Sequence, residues 1–175
     1  MARAASPSWP EDIFDALMAH DVRQVAYVPD AGHAELIDRC AAEPGMAMVP
    51  LTTEQEGVAL LAGAWLGGQR GVLLMQSSGV GNCLNMLTLT RTCRFPLLML
   101  VTMRGQWGEF NPWQVPMGRI ADRALGLADA IVFPVDAAAD LGQTVTAAGR
   151  MAFEGPAITA VLISQRLAGV KTFDR

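Results

Sequence analysis

Charge is scarce in this sequence. Only 17 % of the residues are Asp, Glu, Lys or Arg, against 51 % apolar ones, and the 13 Lys and Arg are scattered singly within a net charge of −4. No basic stripe exists to neutralise a phosphate backbone or an anionic lipid surface, which argues against nucleic-acid and membrane partners. Cysteine is sparse as well. Cys40, Cys83 and Cys93 are an odd number without C-x-x-C spacing, the pattern of neither a disulfide framework nor a zinc site. The two histidines, His20 and His33, have no Cys or carboxylate at ligand spacing, so no protein-built metal site is expected. No apolar run approaches the roughly 20 residues that span a bilayer, and no signal-peptide core opens the chain. These absences lead us to expect a cytoplasmic protein. The apolar surplus is more than a small monomer hides easily, and burial against a partner would relieve it.

What is present is a rhythm. Ser8-Trp9-Pro10-Glu11 reads as a capping box opening a helix that runs to about His20. Short apolar or β-branched runs then alternate with helical spacing. The expected strands cover 24–28, 47–51, 71–76, 97–102, 130–133 and 157–163, and the helices between them 31–42, 54–66, 81–91, 115–127 and 137–153. Leu97-Leu98-Met99-Leu100-Val101 is apolar throughout, as in a parallel sheet covered on both faces. The expectation is one domain over residues 1–175, built as a doubly wound, mostly parallel six-stranded α/β sheet with helices on both faces.

Such sheets bind ligands beyond the carboxyl ends of their strands, which nominates four loops: 29–33, 52–56, 76–82 and 103–114. Gln76-Ser77-Ser78-Gly79-Val80-Gly81-Asn82 has the composition for close backbone approach by a ligand. It lacks the third glycine of a dinucleotide fingerprint, and no G-x-x-x-x-G-K-[ST] occurs. Glu54 and Glu56 open a helix whose continuation through Trp65 carries no further charge. Acidic residues in a first turn also serve simply as caps.

Four blocks together carry a resemblance: Glu54-Gln55-Glu56-Gly57 with Gly63 nine positions after Glu54; the loop Gln76 to Asn82; Arg104-Gly105, Gly108-Glu109 and Gln114-Val115-Pro116-Met117-Gly118; and Tyr27-Val28-Pro29-Asp30. They resemble the α, pyrimidine-binding subunits of the sulfopyruvate and phosphonopyruvate decarboxylase family of thiamine-diphosphate enzymes. The resemblance spans about residues 10 to 165, and Ala31-Gly32-His33 departs from its pattern. It implies that Glu54 is the catalytic residue, bonded to the cofactor's pyrimidine ring, with Gln76, Ser77, Ser78, Gly79 and Asn82 as further cofactor contacts. It also implies Asp30, His33, Arg104 and Gln114 as substrate-binding residues for a small anionic 2-oxo acid. The G-D-G segment with which such enzymes hold magnesium and the diphosphate is missing from this chain. A separate diphosphate-binding β subunit carrying Mg2+ is therefore expected, with a homodimer when the chain is isolated. Two other readings stay open: a non-catalytic α/β binding or regulatory subunit, and half of a carboligase.

Overall fold

The computed structural model describes residues 8–169; residues 1–7 and 170–175 of the single domain expected over 1–175 lie outside them. The chain runs α1 (Trp9–Ala19), β1 (Val22–Tyr27), a 3-10 turn (Ala31–His33), α2 (Ala34–Ala42), β2 (Ala47–Pro50), α3 (Glu54–Leu66) and β3 (Arg70–Gln76). It continues through α4 (Ser77–Cys93), β4 (Leu97–Thr102), α5 (Gln114–Leu127), β5 (Ile131–Val135), a second 3-10 turn (Ala138–Asp140), α6 (Leu141–Glu154), β6 (Ile158–Ile163) and α7 (Gln165–Ala168). Every strand pair is parallel, in the order β2-β1-β3-β4-β6-β5. The doubly wound six-stranded sheet expected from the sequence is the one observed.

Alternation along the strands divides the core into two layers. Val72, Leu74, Leu98, Leu100, Val161 and Ile163 face α1, α2 and α6, where Ile13, Leu17, Leu36 and Val145 meet them. Leu73, Met75, Leu97, Met99, Val101 and Leu162 face α3, α4 and α5 through Val58, Leu61, Val80, Leu87 and Leu125. With both faces covered, β4 and β6 are buried at every position, which is why their sequences are unbroken apolar runs.

Two local expectations are corrected. Ser8 precedes α1 but makes no capping bond; its hydroxyl donates to Glu35 Oε1 at 2.8 Å instead, and Pro10 in the first turn removes one donor that a cap would serve. The segment 76–82 is not a loop: α4 starts at Ser77, directly after β3. Gly79 and Gly81, which read as loop punctuation, are there for packing. A Cβ on Gly79 would come within 2.5 Å of Glu54, and one on Gly81 would touch Met117 at 3.5 Å.

The strand ends that matter are level. Gln76 pairs with Thr102 and Thr102 with Ile163. After β1 the chain turns toward β2, and after β3 it turns toward β4, so the connections diverge and leave a crevice above β1 and β3. The edges are β2 and β5, which carry Pro50 and Pro134. Among the described residues no helix is long and apolar enough to cross a membrane.

Candidate active site

Glu54 is the first residue of α3, and although charged it is only 6 % exposed. A carboxylate is rarely taken out of water unless something compensates it. Two features do so here, a hydrogen bond and the amino ends of two helices. Asn82 Nδ2 donates to Oε2 at 2.7 Å. Gly79, in the first turn of α4, lies against the carboxyl with no side chain between them. Glu54 thus stands at the amino end of its own helix and beside that of a second, both positive ends of helix dipoles. Glu56, two residues on, is exposed, and its Oε2 accepts the backbone N–H groups of Thr52 at 2.9 Å and Thr53 at 3.4 Å. The two glutamates divide the work: Glu56 caps the helix, and Glu54 is left against the first turns of α4. Cys83 lies near enough to Glu54 for the carboxylate to add to the effect of burial, and its thiol is pushed up to about 12, so it stays protonated.

Gln76, the last residue of β3, has a buried side-chain oxygen with no hydrogen-bond partner among the described residues, and so does Gln114 at the start of α5. Buried polar atoms are rarely left unsatisfied, so both mark places where a donor from outside the chain would fit. Ser77 is fully buried, and its hydroxyl accepts the backbone N–H of Arg104 at 3.0 Å, joining the ends of β3 and β4. Asp30 reaches across the end of β3: Thr102 donates its hydroxyl to Asp30 Oδ2 at 2.6 Å, and Gly32 N–H donates to the same oxygen at 3.1 Å. His33 lies deeper. It is completely buried, its Nε2 stands 3.2 Å from the Met75 carbonyl and 3.1 Å from that of Leu100, and burial pushes its pKa down. A neutral imidazole bridging two strands is the result.

Arg104 follows β4, and its side chain is 7 % exposed. Its Nε and Nη2 donate to Glu109 Oε2 and Oε1, both at 2.7 Å, a bidentate pair of the strong kind. Gly105 at φ +74° and Gly108 at φ +60° turn the chain between them, a conformation that glycine adopts without strain. Two clefts flank this loop. One, about 160 Å³, is bounded by Asp30, Gly32, Thr102, Arg104 and Gly169. The other, about 530 Å³, opens against β5 and β6; at its rim the Arg166 guanidinium stacks 4.0 Å over the Trp107 ring.

A family model described as "Thiamine pyrophosphate enzyme, N-terminal TPP binding domain" matches residues 9–110. The chain belongs to this family. It is 32 % identical over 118 residues to the sulfopyruvate decarboxylase subunit alpha of Methanocaldococcus jannaschii, a match covering 67 % of this chain and 70 % of the relative. The corresponding subunit of Methanothermobacter thermautotrophicus is 41 % identical over 93 residues, 53 % of this chain and 56 % of that one. A phosphonopyruvate decarboxylase of Streptomyces viridochromogenes is 39 % identical over 120 residues, which is 67 % of this chain but only 30 % of that longer protein. The 2-oxoglutarate:ferredoxin oxidoreductase of Magnetococcus marinus superposes with a TM-score of 0.77 over 92 % of this chain and 29 % of its own, at 17 % identity, a likeness of fold.

In this thiamine pyrophosphate-binding domain, sequence reasoning placed Glu54, Gly79 and Asn82 together, and the structure brings them into contact. It separates others. Ser77 and His33 are inside the sheet's end, and the side-on edge of the Arg104 fork is taken by Glu109. Gln165 was missed: it is fully buried, and its Nε2 donates to Glu109 Oε2 at 2.9 Å. Only its place just after an apolar strand marked it in the sequence. Glu109 is held down to about 2, chiefly by the Arg104 hydrogen bond and also by the N–H groups of Asn111 and Gly105, against the opposing effect of burial. Because the folded value lies below the ordinary 4.5, its stabilisation is complete above about pH 4.5 and fades as the pH falls toward 2. The stability gap between wild type and Glu109→Gln, measured by urea unfolding, is therefore expected to be flat from about pH 5 to 8 and to close between about pH 4.5 and 2. A gap unchanged at the acid end would rule out the ion pair as its source.

Proposed function

We propose that this chain is the pyrimidine-binding half of a thiamine-diphosphate-dependent 2-oxo acid decarboxylase acting on sulfopyruvate or phosphonopyruvate. The observation that carries this is the buried Glu54 carboxylate, bared by Gly79 and held by Asn82. Thiamine diphosphate, when bound, supplies a thiazolium that takes up the electron pair left as carbon dioxide departs. The chain's own residues prepare for that. Glu54, with Oε2 taken by Asn82, offers Oε1 to hold a proton at a pyrimidine ring nitrogen. The missing Cβ at Gly79 lets a flat ring approach, and the unsatisfied Gln76 oxygen would accept from an amino group on it. Ser77 and Ser78 shape the first turn of α4 beneath the ring. On the substrate side, Asp30 and Gln114 flank the β1 and α5 ends and would handle a proton and orient the 2-oxo acid, while Arg104 meets its acid tail. His33 serves these groups from below by tying β3 to β4.

The relatives named as subunit alpha favour a separate partner that supplies the diphosphate half and its Mg2+. The outer surfaces of α3 and α4 suit such a contact. From Gly57 to Leu66 and from Ser77 to Thr90 no residue is charged, and charge is depleted where interfaces are buried. In our reading the complete protein works in the cytoplasm, and the chain alone pairs with itself through the same face.

The test is calorimetric titration of thiamine diphosphate and Mg2+ into the chain alone and then into the chain with its diphosphate-binding partner, followed by carbon dioxide release from sulfopyruvate. Binding and turnover are expected only in the mixture, and Gly79→Ala, whose methyl meets Glu54 at 2.5 Å, is expected to weaken cofactor binding at least about tenfold through overpacking. Absence of binding in both samples would leave a non-catalytic subunit instead.

A further inference from the structure

Two side chains that the chemistry above does not use, Glu109 and Gln165, fasten the loop after β4 from the inside. Glu109 is 3 % exposed and accepts from Arg104 Nε and Nη2, from the backbone N–H groups of Gly105 and Asn111, and from Gln165 Nε2. Gln165 turns its oxygen to the N–H groups of Gln106 and Trp107, each at 2.9 Å, while Gln106 Oε1 accepts the Gln165 N–H at 3.2 Å. One carboxylate and one amide thus satisfy four loop N–H groups and one edge of a guanidinium. A buried pair held this way does not open cheaply, since breaking it strands a charge.

What remains of Arg104 is its other end. Nη1 has no hydrogen-bond partner among the described residues, and the residue lines the cleft of about 160 Å³ beside Asp30, Gly32 and Thr102. At roughly 30 Å³ per water, that space takes a group of about five heavy atoms, the size of a sulfonate or phosphonate. Net charge does not draw an anion there, because Glu109 offsets Arg104 and Asp30 adds a second carboxylate close by. Direction is what the cleft supplies: donors on a guanidinium that does not turn.

We propose that Glu109 and Gln165 are positioning residues for substrate recognition, holding Arg104 so that its free donors meet the anionic tail of the 2-oxo acid in the cleft beside Asp30. This rests on the decarboxylase reading and names the recognition device within it. In the assembled enzyme, Glu109→Gln and the charge-preserving Glu109→Asp are both expected to raise KM for sulfopyruvate at least about tenfold, as loss of aligned hydrogen bonds to a charged group does, with kcat within about threefold of wild type. Simple relief of negative charge has the opposite sign, so a lowered KM in Glu109→Gln overturns the proposal. A fall in kcat with KM unchanged overturns it too, since that is the mark of a loosened loop. A second readout needs no turnover. Sulfoacetate, an unreactive probe with the same tail, is titrated into the isotope-labelled chain while the Arg104 guanidinium resonances are followed. A shift in wild type that is lost in Gln165→Leu is expected, and no shift in wild type overturns the proposal. An inactive wild-type complex that still shows the sulfoacetate shift would count against the decarboxylase reading alone.

Discussion

Replacing Glu54 by glutamine is expected to leave the fold intact and to lower turnover of the assembled enzyme by roughly 10²–10⁴-fold, the range for loss of a positioned proton-handling group. The exchange is close in shape, and a glutamine oxygen can still accept from Asn82 Nδ2, so the burial of this position and the packing against Gly79 need not change. What changes is the capacity to carry and share a proton. Glu54→Ala differs in kind: it leaves Asn82 without its acceptor and opens a void at the start of α3, so it mixes a structural loss with a chemical one. Carbon dioxide release and thermal unfolding, measured on the same preparations, separate the two. Turnover retained in Glu54→Gln would remove the residue from the chemistry and leave it as a buried helix-start carboxylate.

The second large effect is expected on stability, at Gly118. A Cβ there would overlap the carbonyl oxygen of Arg104, stand 2.8 Å from its carbon and 3.1 Å from Gly105 Cα. These are backbone atoms. No side chain can swing aside to make room, so Gly118→Ala must push α5 off the loop that carries Arg104. Overpacking against unyielding atoms costs about 3 kcal/mol, which in a domain of this size lowers Tm by about 6–12 °C. Gly126→Ala on the same helix is the control, because its added methyl meets nothing within 4 Å and should raise stability slightly through helix propensity. If Gly118→Ala melts with wild type, α5 does not sit against the Arg104 loop as described.

These residues also show how far the sequence could be read. The apolar runs of β4 and β6 announced a covered parallel sheet, and α3 begins and ends where its spacing placed it, from Glu54 to Leu66. The start of α4 was hidden because glycine and serine speak locally for a turn, whereas Gly79 and Gly81 answer to Glu54 and Met117 from other elements. The same holds at the candidate site. Glu54 was singled out by the resemblance and not by its position, since an acidic residue opening an uncharged helix reads equally well as a cap. The Arg104 pair was not singled out: its partner lies five residues away in an irregular loop, a separation with no periodicity to exploit, and Gln165 joins from 56 residues further along. Helix α7 is only four residues long, too short for a pattern. Contacts that depend on tertiary proximity leave no local trace; the block Arg104 to Gly118 carried the resemblance, and with it Arg104 and Gln114, but not the pairing inside it.

The prolines at the two borders of the sheet have a further consequence. The N–H of Leu51 is given to Tyr27 on the neighbouring strand, and the Val135 carbonyl accepts the N–H of Ser164, directly after the neighbouring β6, so alternation turns the nitrogens of Pro50 and Pro134 outward, where a foreign strand would look for a donor and find none. The sheet therefore has blunted flanks. Edge-to-edge pairing between copies of the chain is thereby discouraged, and with it the risk of stacking into fibrils.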